Sequence, residues 1–366
     1  MGSRAHPASI VRWLAAALAA LALACTPAPR AAPTPAPDAA PAAAPASSRP
    51  SEAAAPAPSP TREPRTLQIG LISKTFVQVP QWAAMANGYL AEEGITLEET
   101  YTGASTAAIA ALVSGTIDLT LNSPPNVVLA RQQGANLLIV GGLQNRATYY
   151  LLGQRDVHAI EDLRGKRVGV AGTTTGDSVL VRAMLGAHGL HERDDYTLLR
   201  IGGTPDRFSA LLAGAIESVM LIDPFNYAAY DAGYTDLGAA YTVVPEFQGT
   251  GTNVQADWAR QNEATLVGFQ KALIRGIRWA YDPANAAAVV QLAVDNSGIE
   301  RRYAEQSLKE YAQAEVWPRD GLITEKGLAW VIDQAAAVGE LQPPYPSVQE
   351  ITDQSYTRKA LAQLER

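Results

Sequence analysis

The chain has 366 residues, a formal net charge of -7 and 47% hydrophobic content. Such a length buries a large core and is expected to divide it between two lobes, while the acidic balance and the lack of any block of basic residues argue against nucleic acid as a partner. A single cysteine, Cys25, excludes an internal disulfide.

The first residues read as an export signal. Arg4 and Arg12 precede an apolar run, Trp13 to Ala24, that is too short to span a bilayer comfortably and ends in "ALAC". Residues 1–24 are therefore expected to be a signal peptide. "LALAC" fits a loose lipoprotein box in which Cys25 is acylated and becomes the new N-terminus. Ala22-Leu23-Ala24 is also an ordinary cleavage site, but that reading leaves the isolated thiol without a purpose. Residues 25–65, dominated by Pro, Ala and Ser, cannot build a core and are expected to form a semi-stiff tether.

From Thr66 short apolar runs alternate with longer amphipathic segments. "TLQIGLI" reads as a strand, "PQWAAMANGYLAEEG" as a helix with a Gly stop, and "ITLEETY" as a strand of alternating character. A helix "STAAIAALVSG", capped by Ser105, a strand "IDLTL", a helix "NVVLARQQG" and a strand "NLLIVGGL" follow. The order then repeats: "RVGVAG", "YTLLRIG" and "IESVMLI" as strands, with "DSVLVRAMLGAHG", "PDRFSALLAG" and "FNYAAYDAG" as helices. Alternation of this kind implies mostly parallel sheets covered on both faces.

Sliding the chain on itself exposes the repeat. Gly115 and Gly214 are 99 positions apart, and the same offset pairs Gly70 with Gly169, Met85 with Met184, Gly103 with Gly202, Pro125 with Pro224 and Gly134 with Gly233. Two similar α/β lobes place the carboxyl ends of their strands, and the helix starts that follow, around a shared crevice, where ligands of open parallel sheets bind. The abrupt joins "NSPPN" and "IDPFN" suit this, with Ser123 as N-cap and Pro124 as first helical residue, and Asp223 and Pro224 taking those parts in the second half.

Four segments, "GYLAEEGITLE", "ALVSGTIDLTLNSP", "IEDLRGKRVGVAGTTTGDS" and "ALLAGAIESVMLIDPF", carry a resemblance to the solute-binding proteins of ABC importers, in the branch serving nitrate, sulfonates, taurine and pyrimidine precursors of thiamine. It covers about residues 66–340. The resemblance implies an α/β, bilobal periplasmic-binding-protein fold of type II, with two mostly parallel sheets flanked by helices. Lobe 1 would comprise 66–152 and 250–366, and lobe 2 residues 153–249. Two crossings are expected, near Tyr149 to Gly153 and near Val243 to Val254, with the segment from Asp257 packing back on the first lobe.

Candidate ligand groups are the polar residues just after strands. In the first lobe these are Ser73, Lys74 and Thr75 with Phe76 beside them, Ala104 and Ser105, and Asn122 and Ser123; in the second they are Thr173, Thr174, Thr175, Asp177, Thr204 and Asp223. Helix starts converging from both sides would bind an anionic or strongly polar head group. Lys74 is either an anion partner or a solvated surface lysine. Asp223, where many relatives carry Glu before Pro, either accepts from an amine or ring N–H or caps its helix, and Asp177 likewise caps or faces the ligand. Phe76, Trp82 and Phe225 either stack on a flat ligand or belong to the core. Two acids at the pocket would favour an aminosulfonate or an amino-substituted heterocycle over a simple anion.

His158, His188 and His191 lack metal-ligand spacing, no Ser-His-Asp set is visible, and "GVAGTTTG" does not match a dinucleotide-binding loop. No cofactor, metal or catalysis is expected. The expected partners are an ABC permease with its ATPase, a small solute, and a membrane reached through Cys25, with the protein itself a monomer. The rival readings are an exported enzyme on the same fold, related to scaffolds of pyrimidine or menaquinone synthesis, and a ligand sensor for a membrane receptor.

Overall fold

The computed structural model describes residues 64–366 apart from 338 and 340. The expected signal peptide, Cys25 and nearly all of the Pro/Ala-rich stretch lie outside the described residues. The first half runs β1 (Arg65–Leu71), α1 (Val79–Ala86), α2 (Tyr89–Glu92), β2 (Ile95–Tyr101), α3 (Ser105–Ser114), β3 (Leu119–Asn122), α4 (Pro124–Gln132), β4 (Leu137–Gln144) and β5 (Tyr149–Gly153). The second continues with β6 (Lys166–Val170), α5 (Gly176–Gly186), β7 (Tyr196–Arg200), α6 (Thr204–Leu212), β8 (Ser218–Ile222), α7 (Phe225–Asp231), β9 (Thr235–Ala239) and β10 (Thr250–Gln255). Helices complete the chain: α8 (Ala256–Gln261), α9 (Glu263–Ala280), α10 (Ala286–Ser297), α11 (Arg301–Ala314), α12 (Glu325–Ala337), α13 (Val348–Ile351) and α14 (Ser355–Leu364). Among the described residues no helix is long and apolar enough to cross a membrane.

The segment expected as one helix, 80–94, is broken into α1 and α2 at Gly88, whose φ of 73° is left-handed and ends the first helical stretch.

Two five-stranded sheets form, in the orders β2-β1-β3-β10-β4 and β7-β6-β8-β5-β9. In each, four strands point one way and the fourth in order runs against them: β10 is antiparallel to β3 and β4, and β5 to β8 and β9. These two strands are the ones the halves exchange. Tyr149–Gly153, placed at the first crossing by the sequence analysis, is a strand of the second sheet, and the passage itself occupies 145–148. The return passage runs through 240–249.

The repeat holds in register as well as in order. Gly70 pairs with Thr100 and Thr120, and Gly169, 99 positions on, pairs with Leu199 and Val219, again 99 positions on. The glycines are there for the same steric reason. A Cβ at Gly70 would stand 2.4 Å from Ile117 Cδ1, and one at Gly169 would stand 2.5 Å from Ile216 Cδ1.

Each sheet buries both faces. Leu67, Ile69 and Leu71 of β1 join Trp82, Phe269 and Trp317 under α1, α9 and α11, whereas Ile109, Leu112, Val127 and Ile139 close the other side beneath α3 and α4. In β5 the period of two is direct: Leu151 enters the core with Val168 and Leu180, and Tyr150 and Leu152 enter the one with Leu211 and Ile216. The C-terminal segment does not pack on the first lobe alone. In α12, Leu328 and Ile332 lie with Val127 and Val128 of α4, while Val331 is buried in the second lobe's core and the Trp330 ring meets Phe247 edge-on at 6.2 Å.

Gly70→Ala and Gly169→Ala are expected to cost about the same, roughly 1 kcal/mol each, because only the tip of an isoleucine must move. Gly276→Ala should cost about 3 kcal/mol, since its Cβ would stand 2.0 Å from the Pro80 carbonyl oxygen, which is backbone. Urea denaturation of the three variants checks both the equality and the order.

Candidate functional site

A cavity of about 70 Å³ lies between the two sheets, room for about two water molecules or a guest of a few non-hydrogen atoms. Four helix starts open on it, two from each lobe: Ser105 of α3 and Ser123 before α4 face Gly176 of α5 and Thr204 of α6. Ser105 and Thr204 are themselves one repeat apart. The first N–H groups of a helix lack intrahelical acceptors, so such a convergence brings together the positive ends of helix dipoles and the donors that remain, since Pro124 and Pro125 of α4 and Pro205 of α6 have no N–H.

The lobes touch across this space. Gly176 N donates to Ser123 Oγ at 3.4 Å, Thr174 Oγ1 to Asn126 Oδ1 at 3.3 Å, and Arg200 Nη2 to Thr106 Oγ1 at 3.3 Å. At Gly203 a Cβ would lie 3.3 Å from Ser73 Cβ. The cleft is closed.

Of the sequence candidates, Ser73, Thr75, Ser105, Asn122, Ser123, Thr175, Asp177 and Thr204 line the cavity. The other six do not. Lys74 is exposed, with its ammonium 5.2 Å from the centre of the Tyr101 ring. Phe76 is fully buried, edge-on to Tyr311 at 5.2 Å and stacked on Trp317 at 5.7 Å. Ala104 is the N-cap of α3, so Ser105 is the first helical residue and its hydroxyl turns inward, donating to Asn122 Oδ1 and accepting from Asn126 Nδ2 at 2.7 Å. Thr173 is exposed and gives its carbonyl to Arg182 and Ser178, and Thr174 bridges to Asn126. Asp223 is fully buried one residue beyond Ile222, which does line the cavity. It does not cap α7, whose N-cap is Pro224. Trp82 is core, and Phe225 packs on Phe208.

Several lining residues were missed, Arg207, Gln78, Gln144, Tyr149 and Thr250 among them. Arg207 and Gln78 stand three positions after Thr204 and Thr75, so the i, i+3 face of each helical start held the signal. The repeat held it too, since Arg207 occupies the place of Ala108 in the first half.

Arg207 dominates the electrostatics. It is 3% exposed, and its Nε donates to Met220 O at 2.9 Å, its Nη1 to Gly202 O at 2.7 Å and its Nη2 to Thr204 Oγ1 at 3.2 Å. Asp177 Oδ2 stands 3.7 Å from Nη1 and accepts from Ala171 N at 2.7 Å, and the Thr175 hydroxyl donates to the same carboxylate. The guanidinium is thus bound by its own lobe and its charge offset, leaving the cavity wall near neutral. Removing one member of such a pair strands the other.

Gln144 ties the two passages together. Its Nε2 donates to Thr148 Oγ1 at 3.1 Å, its Oε1 accepts from Thr250 Oγ1 at 3.2 Å, and its carbonyl accepts from Gly249 N at 2.8 Å. One side chain at the cavity therefore senses both connecting segments.

Two further acids lie where α7 meets α11, Asp223 fully buried and Glu310 half-buried. Burial pushes the carboxyl of Asp223 up to about 7, against a weaker downward pull from the hydroxyls of Ser307 and Tyr311 beside it. Burial also pushes Glu310 up to about 7. The folded protein therefore holds protons on both acids at pH values where the unfolded chain, near 3.8 and 4.5, has lost them. Stability from these sites is present at low pH and falls as pH rises toward 7. Relative to wild type, the double variant Asp223→Asn with Glu310→Gln should be more stable at about pH 8 than at about pH 5. Thermal unfolding at the two pH values checks the sign.

Residues 76–286, more than half of the chain, match the family model described as NMT1/THI5 like. A curated relative, the formylaminopyrimidine-binding protein of Halalkalibacterium halodurans, is 23% identical over 222 residues, covering 58% of this chain and 64% of its own length. Among solved structures, the periplasmic nitrate-binding protein NrtA of Synechocystis matches with a TM-score of 0.73 at 15% identity, over 83% of this chain and 90% of that one. The alkanesulfonate-binding protein SsuA of Xanthomonas axonopodis, solved with MOPS, matches with a TM-score of 0.65 at 19% identity, over 80% and 99%. At these identities the likeness establishes the periplasmic-binding-protein fold.

Proposed function

The chain belongs to the NMT1/THI5-like family, and from that premise we propose that it is the extracytoplasmic solute-binding lipoprotein of an ABC importer. It captures a small polar organic solute, sulfonate- or taurine-like or pyrimidine-like, between its lobes and hands it to a membrane permease driven by an ATPase. Two of its relatives are named for ligands at the ends of this range, alkanesulfonate and formylaminopyrimidine, and a third for the inorganic anion nitrate.

One observation carries the reading: polar groups from both lobes close on a single small cavity. A guest that touches both walls stabilises the closed form over the open one by its differential contacts, and a closed form is a state that a partner can recognise. Exchange of β5 and β10 between the sheets leaves two short passages, 145–148 and 240–249, as the places where rotation is absorbed. Acylation of Cys25 would hold the protein at the membrane through the Pro/Ala-rich tether.

Two experiments test this. Protein purified without denaturation should release a small polar solute on denaturation, detected by mass spectrometry, and Ser123→Trp, which fills the cavity, should retain its circular dichroism but come out empty. An empty wild type, or a Ser123→Trp variant that still carries the solute, contradicts the assignment. Cys25→Ala should move the protein from the membrane to the soluble fraction.

A further inference from the structure

Between their outer helices the two lobes share a frame but not its filling. α3 and α6 end alike, with Gly115 N donating to Leu112 O at 3.1 Å and Gly214 N to Leu211 O at 3.0 Å. α4 and α7 do so too, Gly134 N donating to Arg131 O and Gly233 N to Tyr230 O, both at 2.9 Å. The 99-residue offset therefore still holds at the ends of both helix pairs. In lobe 2 aromatic rings occupy the space between α6 and α7: Phe208 and Phe225 pack at 5.8 Å, and Tyr234 is buried in the same core. The corresponding positions of lobe 1 hold Ile109, Asn126 and Ala135. Leu129 and Gln133, opposite Ala228 and Ala232, restore only part of the lost bulk, and a groove of about 570 Å³ opens between α3 and α4.

The groove has an apolar floor. Ile109 and Ala130 are buried in the core beneath it, and Val113 stands exposed on one wall. All of its lining residues are uncharged. Two of them are also the residues with which lobe 1 meets lobe 2: Asn126 Oδ1 accepts from Thr174 and Thr106 Oγ1 from Arg200, each at 3.3 Å. The groove is thus continuous with the interlobe contact. Thr106 and Asn126 are held from the far side only while the lobes are shut.

We propose that this groove is a second binding site, that it takes the aromatic ring of a small molecule of the phenol or indole kind, and that its occupant favours the closed form. The other lobe states the class of guest, because it closes the equivalent space with its own aromatic rings. A free ring laid on Ile109 and Ala130 regains the contacts that the smaller side chains forgo, and apolar hollows of ring size do bind such molecules. The Asn126 amide asks nothing of the guest, since its Nδ2 donates to Ser105 Oγ at 2.7 Å and its Oδ1 is taken by Thr174. A single polar substituent would stay at the rim, beside the exposed Thr106 and Gln133. Uncharged walls give an ionic guest no partner. A ring packed against Asn126 and Thr106 steadies the two side chains that bridge the lobes, so ring and solute assist one another. This coupling rests on the solute-binding reading above; the site itself does not.

Calorimetric titration of the full-length protein with phenol and with indole, and hydrogen exchange to locate them, tests the proposal. At least one of the two should bind saturably, one to one, and slow exchange at 106–114 and 126–135. Ala135→Tyr, which supplies the ring that lobe 2 carries at this place, should weaken binding at least tenfold while keeping or raising Tm. Val113→Asp, at an exposed position, should weaken it severalfold with Tm unchanged. Binding should also tighten severalfold when the solute carried by the protein is removed and then restored. Absence of saturable binding to the wild type, affinity unaltered in both variants, or protection at α10 and α11 instead overturns the site. Equal affinity with and without solute overturns the coupling and leaves the solute-binding reading standing. A protein that carries no solute as purified counts against that reading, and the ring site then stands or falls on the wild type and the two variants.

Discussion

The backbone N–H groups at the start of a helix have no acceptor within it, and here four helix starts are brought to one small space, with α3 and α5 offering full sets of donors and α4 and α6 fewer because of Pro124, Pro125 and Pro205. The rest of the molecule serves that constraint. Each sheet aims the carboxyl ends of its four parallel strands at the gap, strands β2, β3, β6 and β7 pass within a few residues into α3, α4, α5 and α6, and the helix starts from one lobe face those of the other. In the closed form one pair already meets, Gly176 N with Ser123 Oγ, at 3.4 Å. That is a weak contact by hydrogen-bond standards, so a guest offering better acceptors competes well for the same donors.

Charge then narrows what the donors hold. Helix dipoles alone favour an anion, but the one arginine on the cavity wall is committed to Asp177 and to carbonyls of its own lobe. Its work is structural: it pins the start of α6 to the middle of β8 and to the turn that follows β7. Beyond the wall stand Asp223 and Glu310, both acids.

Much of this was legible in the chain. The 99-residue offset proved to be a repeat of strand register as well as of sequence, because glycines at Gly70 and Gly169 and isoleucines at Ile117 and Ile216 solve the same packing problem twice. Eight of the fourteen candidate residues line the cavity, since polar residues after strands are a signal that depends on local chain direction alone. What failed to show depends on tertiary placement. The two crossings were expected from the resemblance, but "YYLLG" carries no mark of running against its neighbours, so its place as an antiparallel strand of the second sheet was invisible. Phe76 reads equally as a stacking platform or as core, and only the C-terminal helices bearing Tyr311 and Trp317 make it core. Ser307 and Tyr311 of α11, which lie beside the buried Asp223, stand 84 and 88 positions beyond it, too far for any local pattern to connect them.

The central claim, that one guest is held by both lobes at their helix starts, is tested most directly by hydrogen exchange of the backbone amides, with the carried solute removed and then added back. The account predicts that amides at 105–108, 126–127, 176–179, 204 and 206–207 all slow together on addition. Protection confined to one lobe, or located instead in the apolar groove between α10 and α11, would contradict it.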